Sequence, residues 1–232
     1  MISDTTWPSF INDCSGDIKR LDYVWRYSSI PVAVPENVST HSYWVAVYAV
    51  LIHIKCNPIN TQVIGPLLLH SLLHDFPESV TGDIVRVFKY STPTLKDEIE
   101  TAERTMIKRF PTLIQNLLAI DLNLICGPEQ YVDYDSVKAI QQYKQYIITV
   151  VKAADFMSLY QYMTREALRS NYEIIPYYNR FLVDLQAMSQ SVTDINNFNA
   201  VQYYKDLYAE AVSIGKNSFQ NNPEWDIKTG IV

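Results

Sequence analysis

The stretch His74-Asp75-Phe76-Pro77-Glu78-Ser79-Val80-Thr81-Gly82-Asp83 places an imidazole and three carboxylates within ten residues. His74 and Asp75 are adjacent, Glu78 follows Asp75 by three residues, and Asp83 follows it by eight. An imidazole nitrogen and a carboxylate oxygen together suit a divalent transition metal. A further carboxylate beside such a site can carry protons for a reacting water molecule. The stretch therefore predicts a metal site with a proton carrier next to it.

The pair lies where a predicted helix ends. Pro66 can occupy the first position of a helix, and the apolar run 67–74 continues that helix to the pair. Pro77 and Gly82 then break the regular pattern. Within a helix, consecutive side chains diverge by about 100°. At a helix end this divergence is relaxed, so the two side chains of the pair can converge on one ion.

Two further ligand candidates lie in strongly helical patterns on either side. His41 precedes His74 by 33 residues, and Asp155 follows Asp75 by 80 residues. Both spacings are long enough for the ligands to come from separate helices of one bundle. His41 lies on an apolar stripe of a helix predicted from about residue 37 to 55.

Each candidate also has a structural explanation. A buried, unpaired carboxylate is costly, so Asp155 needs a cation, a hydrogen-bond network or water. Metal ligation is one solution, and a salt bridge with Lys152 is another. His41 could be a hydrogen-bonded core residue. His70, four residues before His74, lacks the Glu that marks the zinc-protease helix, so we interpret it as a packing residue or a support for the site.

The dominant period along the chain is helical, and no segment shows a persuasive strand alternation. Asn37 or Ser39 could cap the first helix, and Thr94–Asp97 resembles the start of a capping box. Only six glycines occur, and we find no linker or internal repeat, so we expect one domain over residues 1–232. The predicted fold class is all-α. The further predicted helices cover about residues 84–88, 94–110, 135–169, 175–189 and 200–216.

Composition narrows the function classes. The net charge is -6, with 48% hydrophobic and 19% charged residues, which indicates an ordered protein and excludes binding to polymeric nucleic acid through phosphate neutralisation. No secretory signal, membrane span, phosphate-binding glycine loop or nucleophile elbow is apparent. Three widely spaced cysteines predict buried thiols in a reducing compartment, so we expect a cytoplasmic protein without a membrane partner. Most of the seventeen tyrosines are expected at helix–helix seams with their hydroxyls at the surface.

Four ordered segments carry a family resemblance: Val24–Tyr27, Glu36–Ser42, Leu72–Tyr90 and Val151–Asp155. They resemble, in that order, an Arg-Trp segment, a Glu-Asn-Val-Ser-x-His-Ser element, a leucine–HD–TGD–VKY run and a helix with a final Asp. These are the motifs of the HD-domain phosphohydrolases, and more closely of the bacterial 5'-deoxynucleotidases among them. The resemblance implies an all-α HD-domain helical bundle. Its motifs span about residues 20–170, with C-terminal helices over about 171–232.

The resemblance also implies a site. One divalent ion (cobalt, manganese, zinc or magnesium) would be held by His41, His74, Asp75 and Asp155. Glu78 would act catalytically, either assisting the attacking water or protonating the leaving oxygen.

The same resemblance assigns the substrate contacts. Arg26 would bind phosphate as a fork of donors, with Thr81 and Lys89 as further phosphate candidates. Tyr27 would pack against the deoxyribose, and Asp83 would accept from its 3'-hydroxyl. The family usually has Trp at the position of Tyr27, so this chain brings a smaller ring and a hydroxyl.

The expected reaction is hydrolysis of a deoxynucleoside 5'-monophosphate to a deoxynucleoside and phosphate. One alternative is a dNTP triphosphohydrolase, notably a dATPase as in related phage enzymes, with the same metal site. Another is a non-catalytic, metal-stabilised nucleotide-binding module, against which Glu78 and Arg26 count. Relatives assemble, so we expect a homo-oligomer, a dimer or larger.

Overall fold

The computed structural model describes residues 18–57, 59–84, 92–108, 135–222 and Trp225. Within these ranges the chain is helical and contains no β-strand, which confirms the all-α prediction. Three short 3-10 turns cover Ile18–Tyr23, Thr61–Val63 and Tyr172–Ile174. The α-helices in these ranges are α1 (Val38–Cys56), α2 (Ile64–Leu73), α3 (Glu78–Thr81), α4 (Pro93–Ile107), α5 (Asp135–Leu168), α6 (Ile175–Ser191) and α7 (Ala200–Phe219).

Most helix ends lie within three residues of their predicted positions. The Asn37 side chain caps α1 by accepting from the backbone N–H of Thr40 at 2.9 Å. Two starts were predicted wrongly. Helix α2 begins two residues before Pro66, which a first turn tolerates because its N–H groups need no helical partner. Helix α4 begins at Pro93, and Thr92 rather than Thr94 supplies the capping hydroxyl. The turn predicted at 84–88 lies almost wholly outside the described residues.

The long helix α5 is the centre of the bundle. It contacts α1, α2 and α7, and α6 packs against α7. Its inward face carries Ile147, Val150, Ala153 and Ala154, all of them fully buried. Because α1 and α2 pack on the same helix as α7, residues from both ends of the chain are fixed relative to α5. Among the described residues, no helix combines the length and apolarity needed to cross a membrane.

Several of the described tyrosines are buried more completely than predicted. Tyr146 and Tyr178 are almost fully buried, so the expectation of surface hydroxyls is wrong for them. The Tyr178 hydroxyl donates to the carbonyl of Ala211 at 2.9 Å, and that of Tyr146 lies 2.9 Å from Nδ1 of His53. A buried hydroxyl is tolerated when it has such a partner. These tyrosines therefore connect helices by polar contacts as well as by packing.

A buried carboxylate fixes the segment that leads into α1. Glu166 of α5 is fully buried and accepts from the backbone N–H groups of Ala33 at 2.7 Å and Val34 at 3.1 Å. The side-chain amide of Asn171 donates to the same carboxylate at 2.8 Å and to the carbonyl of Pro31 at 2.9 Å. Three donors satisfy one buried charge, and the segment is thereby attached to α5.

Glu166→Ala should lower the free energy of unfolding by about 3 kcal/mol, because it removes a buried charged acceptor that three hydrogen bonds share. The change is measured by urea unfolding. Glu173→Ala, which removes an exposed carboxylate nearby, is the matched control and should change stability by no more than about 0.5 kcal/mol. Equal stability of the two variants would contradict the role given to Glu166.

Candidate metal centre

Side chains from α1 and from the end of α2 meet at one point. Helix α2 ends at Leu73, with His74 as its C-terminal cap residue. Nε2 of His74 lies 3.2 Å from Oδ2 of Asp75, and Nε2 of His41 lies 3.3 Å from the same oxygen. The potential ligand atoms of these three residues all lie within 4.8 Å of one another. The helix end thus lets adjacent side chains converge, as its position in the sequence predicts.

Asp155 lies at the edge of this cluster. Its Oδ1 is 3.3 Å from Nε2 of His41, which brings α5 to the site. Its Oδ2 accepts from Nζ of Lys152 at 3.1 Å. One oxygen of Asp155 therefore faces His41, and the other forms the salt bridge with Lys152 that the sequence offers as an alternative to metal ligation.

The two histidines are held by their other ring nitrogens. Nδ1 of His74 lies 2.7 Å from the carbonyl oxygen of Ser71, which can only accept, so this nitrogen carries the proton and a neutral ring has its lone pair on Nε2. Nδ1 of His41 lies 3.0 Å from the hydroxyl of Ser158. Such outer contacts orient metal-binding imidazoles. The sequence analysis missed both serines: Ser158 lies three residues after Asp155 on α5, but Ser71 acts through its backbone and leaves no sequence signal.

Both Nε2 atoms are buried and have no hydrogen-bond partner among the described residues. Each lies 3.2–3.3 Å from a carboxylate oxygen, yet neither contact is aligned as a hydrogen bond. Buried polar nitrogens without a partner are unusual in folded proteins. Two imidazole nitrogens beside carboxylate oxygens form a donor set of the kind that divalent transition metals bind. The residues present therefore fit a metal ion.

The carboxylates of the cluster are ionised and favour a positive charge beside them. Burial opposes ionisation of Asp75, but His74 and His41 outweigh it and hold its pKa well below the usual range. Burial likewise opposes protonation of His74, but Asp75 and Asp155 outweigh it and raise the pKa to about 9. The pKa of Asp155 is lowered strongly, because Lys152 and His41 outweigh its burial. Two ionised carboxylates therefore face the histidines.

The pKa of Glu78 shifts in the direction opposite to that of Asp75. Glu78 opens the short helix α3. Burial raises its pKa to about 9, and the neighbouring Asp75 and Asp83 carboxylates add to the increase. Glu78 is thus protonated at neutral pH beside an ionised Asp75. Carboxyl groups separated in this way can take acid and base roles in one site.

Arg26 brings a fixed positive charge to the same region. Its Nη1 lies 3.4 Å from Oε1 of Glu36, and Glu36 is only 7% exposed. Burial disfavours the charged guanidinium, but Tyr27, Asp155 and Asp75 outweigh this effect and raise the pKa of Arg26 above its already high value. The guanidinium therefore stays charged, which suits the binding of an anion.

Tyr27 is held through its backbone as well as its ring. Its backbone N–H donates to Oδ2 of Asp83 at 3.0 Å, and its ring stacks on Tyr162 of α5 with centroids 4.5 Å apart. Its φ of 57° lies in the left-handed region, which is costly for a residue other than glycine. The Tyr27 hydroxyl is buried and has no hydrogen-bond partner among the described residues. Asp83, predicted to accept from the sugar 3'-hydroxyl, thus accepts from the backbone of Tyr27, the residue predicted to pack against the sugar.

Thr81, one of the two remaining phosphate candidates, is hydrogen-bonded to the backbone. Oγ1 of Thr81 lies 3.2 Å from the carbonyl oxygen of Pro77 and 3.1 Å from that of Gly82, so its proton is directed to the backbone. A phosphate contact from Thr81 would require that proton to turn away. Lys89 lies outside the described residues.

The chain matches known proteins over most of its length. A family model described as 5'-deoxynucleotidase YfbR-like matches residues 15–211. A 5'-deoxynucleotidase (yfbR) from Photorhabdus temperata is 26% identical over 161 residues, which cover 67% of this chain and 74% of that protein.

Two solved structures share the fold. An HD-domain phosphohydrolase from Listeria innocua (lin2634) superposes with a TM-score of 0.57 and 19% identity, covering 88% of this chain and 91% of that one. The HD phosphohydrolase DatZ of cyanophage S-2L, bound to dA and one catalytic Zn²⁺ ion, superposes with a TM-score of 0.51 and 14% identity, covering 86% and 96%. The helical bundle is therefore the HD-domain fold, and the chain belongs to the YfbR-like 5'-deoxynucleotidase family of HD-domain phosphohydrolases.

Proposed function

We propose that this protein is a metal-dependent phosphohydrolase that cleaves the 5' phosphoester of deoxynucleoside monophosphates, giving a deoxynucleoside and phosphate. The observation that carries the proposal is the cluster of His41, His74 and Asp75 next to a protonated Glu78. Its two buried Nε2 atoms have no hydrogen-bond partner among the described residues. A purely structural ion would need neither this proton carrier nor a charged Arg26. The relative from Photorhabdus temperata, described as a 5'-deoxynucleotidase, supports the substrate class.

In this proposal one divalent ion is held by His41, His74, Asp75 and Asp155. Two nitrogen and two oxygen donors suit zinc, cobalt or manganese better than magnesium, which prefers oxygen ligands throughout. The structural relative from cyanophage S-2L is described with a catalytic Zn²⁺. When bound, the ion would polarise a phosphoryl oxygen and acidify a nearby water.

The remaining steps belong to side chains of this protein. Arg26 binds the phosphate through its guanidinium donors and keeps it in place for the reaction. A water molecule attacks phosphorus while Glu78, which is protonated at neutral pH, gives its proton to the 5' oxygen as the phosphorus–oxygen bond breaks. The Glu78 carboxylate then regains a proton from the water that attacked. Asp83 holds the backbone of Tyr27, so that Tyr27 lies at a fixed position for the sugar.

The proposal is tested by product analysis of protein resupplied with zinc, cobalt, manganese or magnesium. The panel contains the common deoxynucleoside monophosphates, the deoxynucleoside triphosphates and their ribose counterparts. We expect orthophosphate from the deoxynucleoside monophosphates. Release of tripolyphosphate from a triphosphate would instead show a triphosphohydrolase. Lack of turnover with metal bound would favour a nucleotide-binding module.

Asp155→Ala should reduce the affinity for the ion by about 100-fold or more and abolish turnover, because it removes one of four ligands. The measurement is metal content after dialysis, together with the rate of phosphate release. Asp206→Ala, which removes an exposed carboxylate on α7, is the control and should keep both. Metal retained by Asp155→Ala but lost by His74→Ala would leave Asp155 only as the salt-bridge partner of Lys152.

Glu78→Gln should keep the metal and lose about 10²–10⁴-fold in kcat, because the amide has nearly the same shape but cannot deliver a proton. Metal content and single-turnover rates separate the two effects. A rate within about twofold of the parent protein would remove Glu78 from the mechanism.

A further inference from the structure

Five side chains form a closed ring, which we call the arginine–tyrosine ring: Arg26, Tyr27, Tyr162, Arg165 and Glu36. The Arg26 guanidinium lies over the Tyr27 ring, with its carbon 4.9 Å from the centroid, and Tyr27 stacks on Tyr162. The Arg165 guanidinium lies over the Tyr162 ring at 5.1 Å. Glu36 closes the ring, because one carboxylate oxygen faces each arginine.

The carboxylate of Glu36 is shared between two cations. Its Oε1 lies 3.4 Å from Nη1 of Arg26, and its Oε2 lies 3.6 Å from Nη2 of Arg165. An arginine and a carboxylate on their own tend to form a two-pronged pair that occupies two guanidinium donors. Here Arg165 attracts the second oxygen, so a single Arg26 nitrogen faces the carboxylate. The other Arg26 donors are not taken by Glu36.

The stacked rings restrict both arginines. A planar guanidinium over an aromatic face is held by electrostatic attraction to the ring. Tyr162 is buried and donates from its hydroxyl to the carbonyl of Val34 at 3.2 Å, so the central ring of the stack is fixed. The Arg165 side chain is 40% exposed, whereas that of Arg26 is 13% exposed.

We propose that Arg165 is a positioning residue for phosphate binding: by holding one oxygen of Glu36, it keeps the donors of Arg26 available to the phosphate. The proposal rests on the role of Arg26 in the proposed function. Arg165 acts through Glu36 and does not itself contact the phosphate. Without it, Glu36 turns to Arg26, forms a two-pronged pair and competes with the phosphate.

The test is calorimetric binding of inorganic phosphate to the zinc-loaded protein. Arg165→Met should weaken phosphate binding by about fivefold, a size typical of coupled contacting residues. Arg165→Lys retains the positive charge beside Glu36 but loses the planar stack on Tyr162, so it should restore the affinity only in part. Arg180→Met on α6, which removes an exposed arginine paired with Asp184, is the control and should bind phosphate like the parent protein. Metal content should be equal in all four proteins.

Double variants separate positioning from direct contact. With Arg26→Met or Glu36→Gln already present, Arg165→Met should have no further effect on phosphate affinity. A further loss in the Arg26→Met protein would show that Arg165 contacts the phosphate itself and would overturn the proposal. Full affinity in Arg165→Met alone would also overturn it.

Binding of phosphate does not depend on turnover, so the two proposals can fail separately. If the parent protein binds phosphate through Arg26 but hydrolyses no nucleotide, the proposed function is wrong and the positioning role of Arg165 stands. With an active substrate, Arg165→Met should raise KM and leave kcat within about twofold. A fall in kcat with unchanged KM would contradict the positioning role.

Discussion

The whole arrangement depends on one cluster of facing charges and imidazoles between three helices. His41 comes from α1, His74 and Asp75 from the end of α2, and Asp155 from the middle of α5. Two ionised carboxylates facing buried nitrogens would be costly to enclose without a positive charge. The end of α2 and the register of α1 on α5 must therefore bring these side chains together and also bury the apolar core. A change of one residue in either register would rotate a ligand away from the others.

The same stretch of chain contains two carboxyl groups with opposite tendencies. Asp75 is kept ionised by the histidines, whereas Glu78 is kept protonated by burial and by the negative charge of its neighbours. The two groups have almost the same intrinsic acidity, so the difference comes from what surrounds them. The short helix α3 holds Glu78 in a partly buried position near Asp75 and Asp83, and both effects favour its protonated form.

Most helix ends were predicted well from the sequence because they depend on residues close together in the chain. The ends of α5, α6 and α7 follow from periodicity, capping residues and prolines, all of which act within a few positions. Outside the metal cluster, contacts between residues that are far apart in the sequence were not predicted. Glu36 pairs with Arg165, which is distant in the sequence. The backbone N–H of Tyr27 donates to Asp83, which lies 56 residues away. No property of Tyr27 itself indicates that partner. The metal candidates were found from their motifs, while the serine contacts that orient the histidines were not, because a serine hydroxyl or carbonyl has no distinctive pattern.

The left-handed backbone of Tyr27 limits how this position can change during evolution. A branched side chain at such a φ is strongly disfavoured, because its second Cβ substituent crowds the backbone. Glycine would relieve the strain but would remove the ring between Arg26 and Tyr162. Substitutions that keep both the backbone and the stack are thus confined to unbranched residues with a flat ring. Changes in substrate preference at this position are therefore expected to exchange one aromatic residue for another, with Asp83 retained as the anchor of the strained backbone.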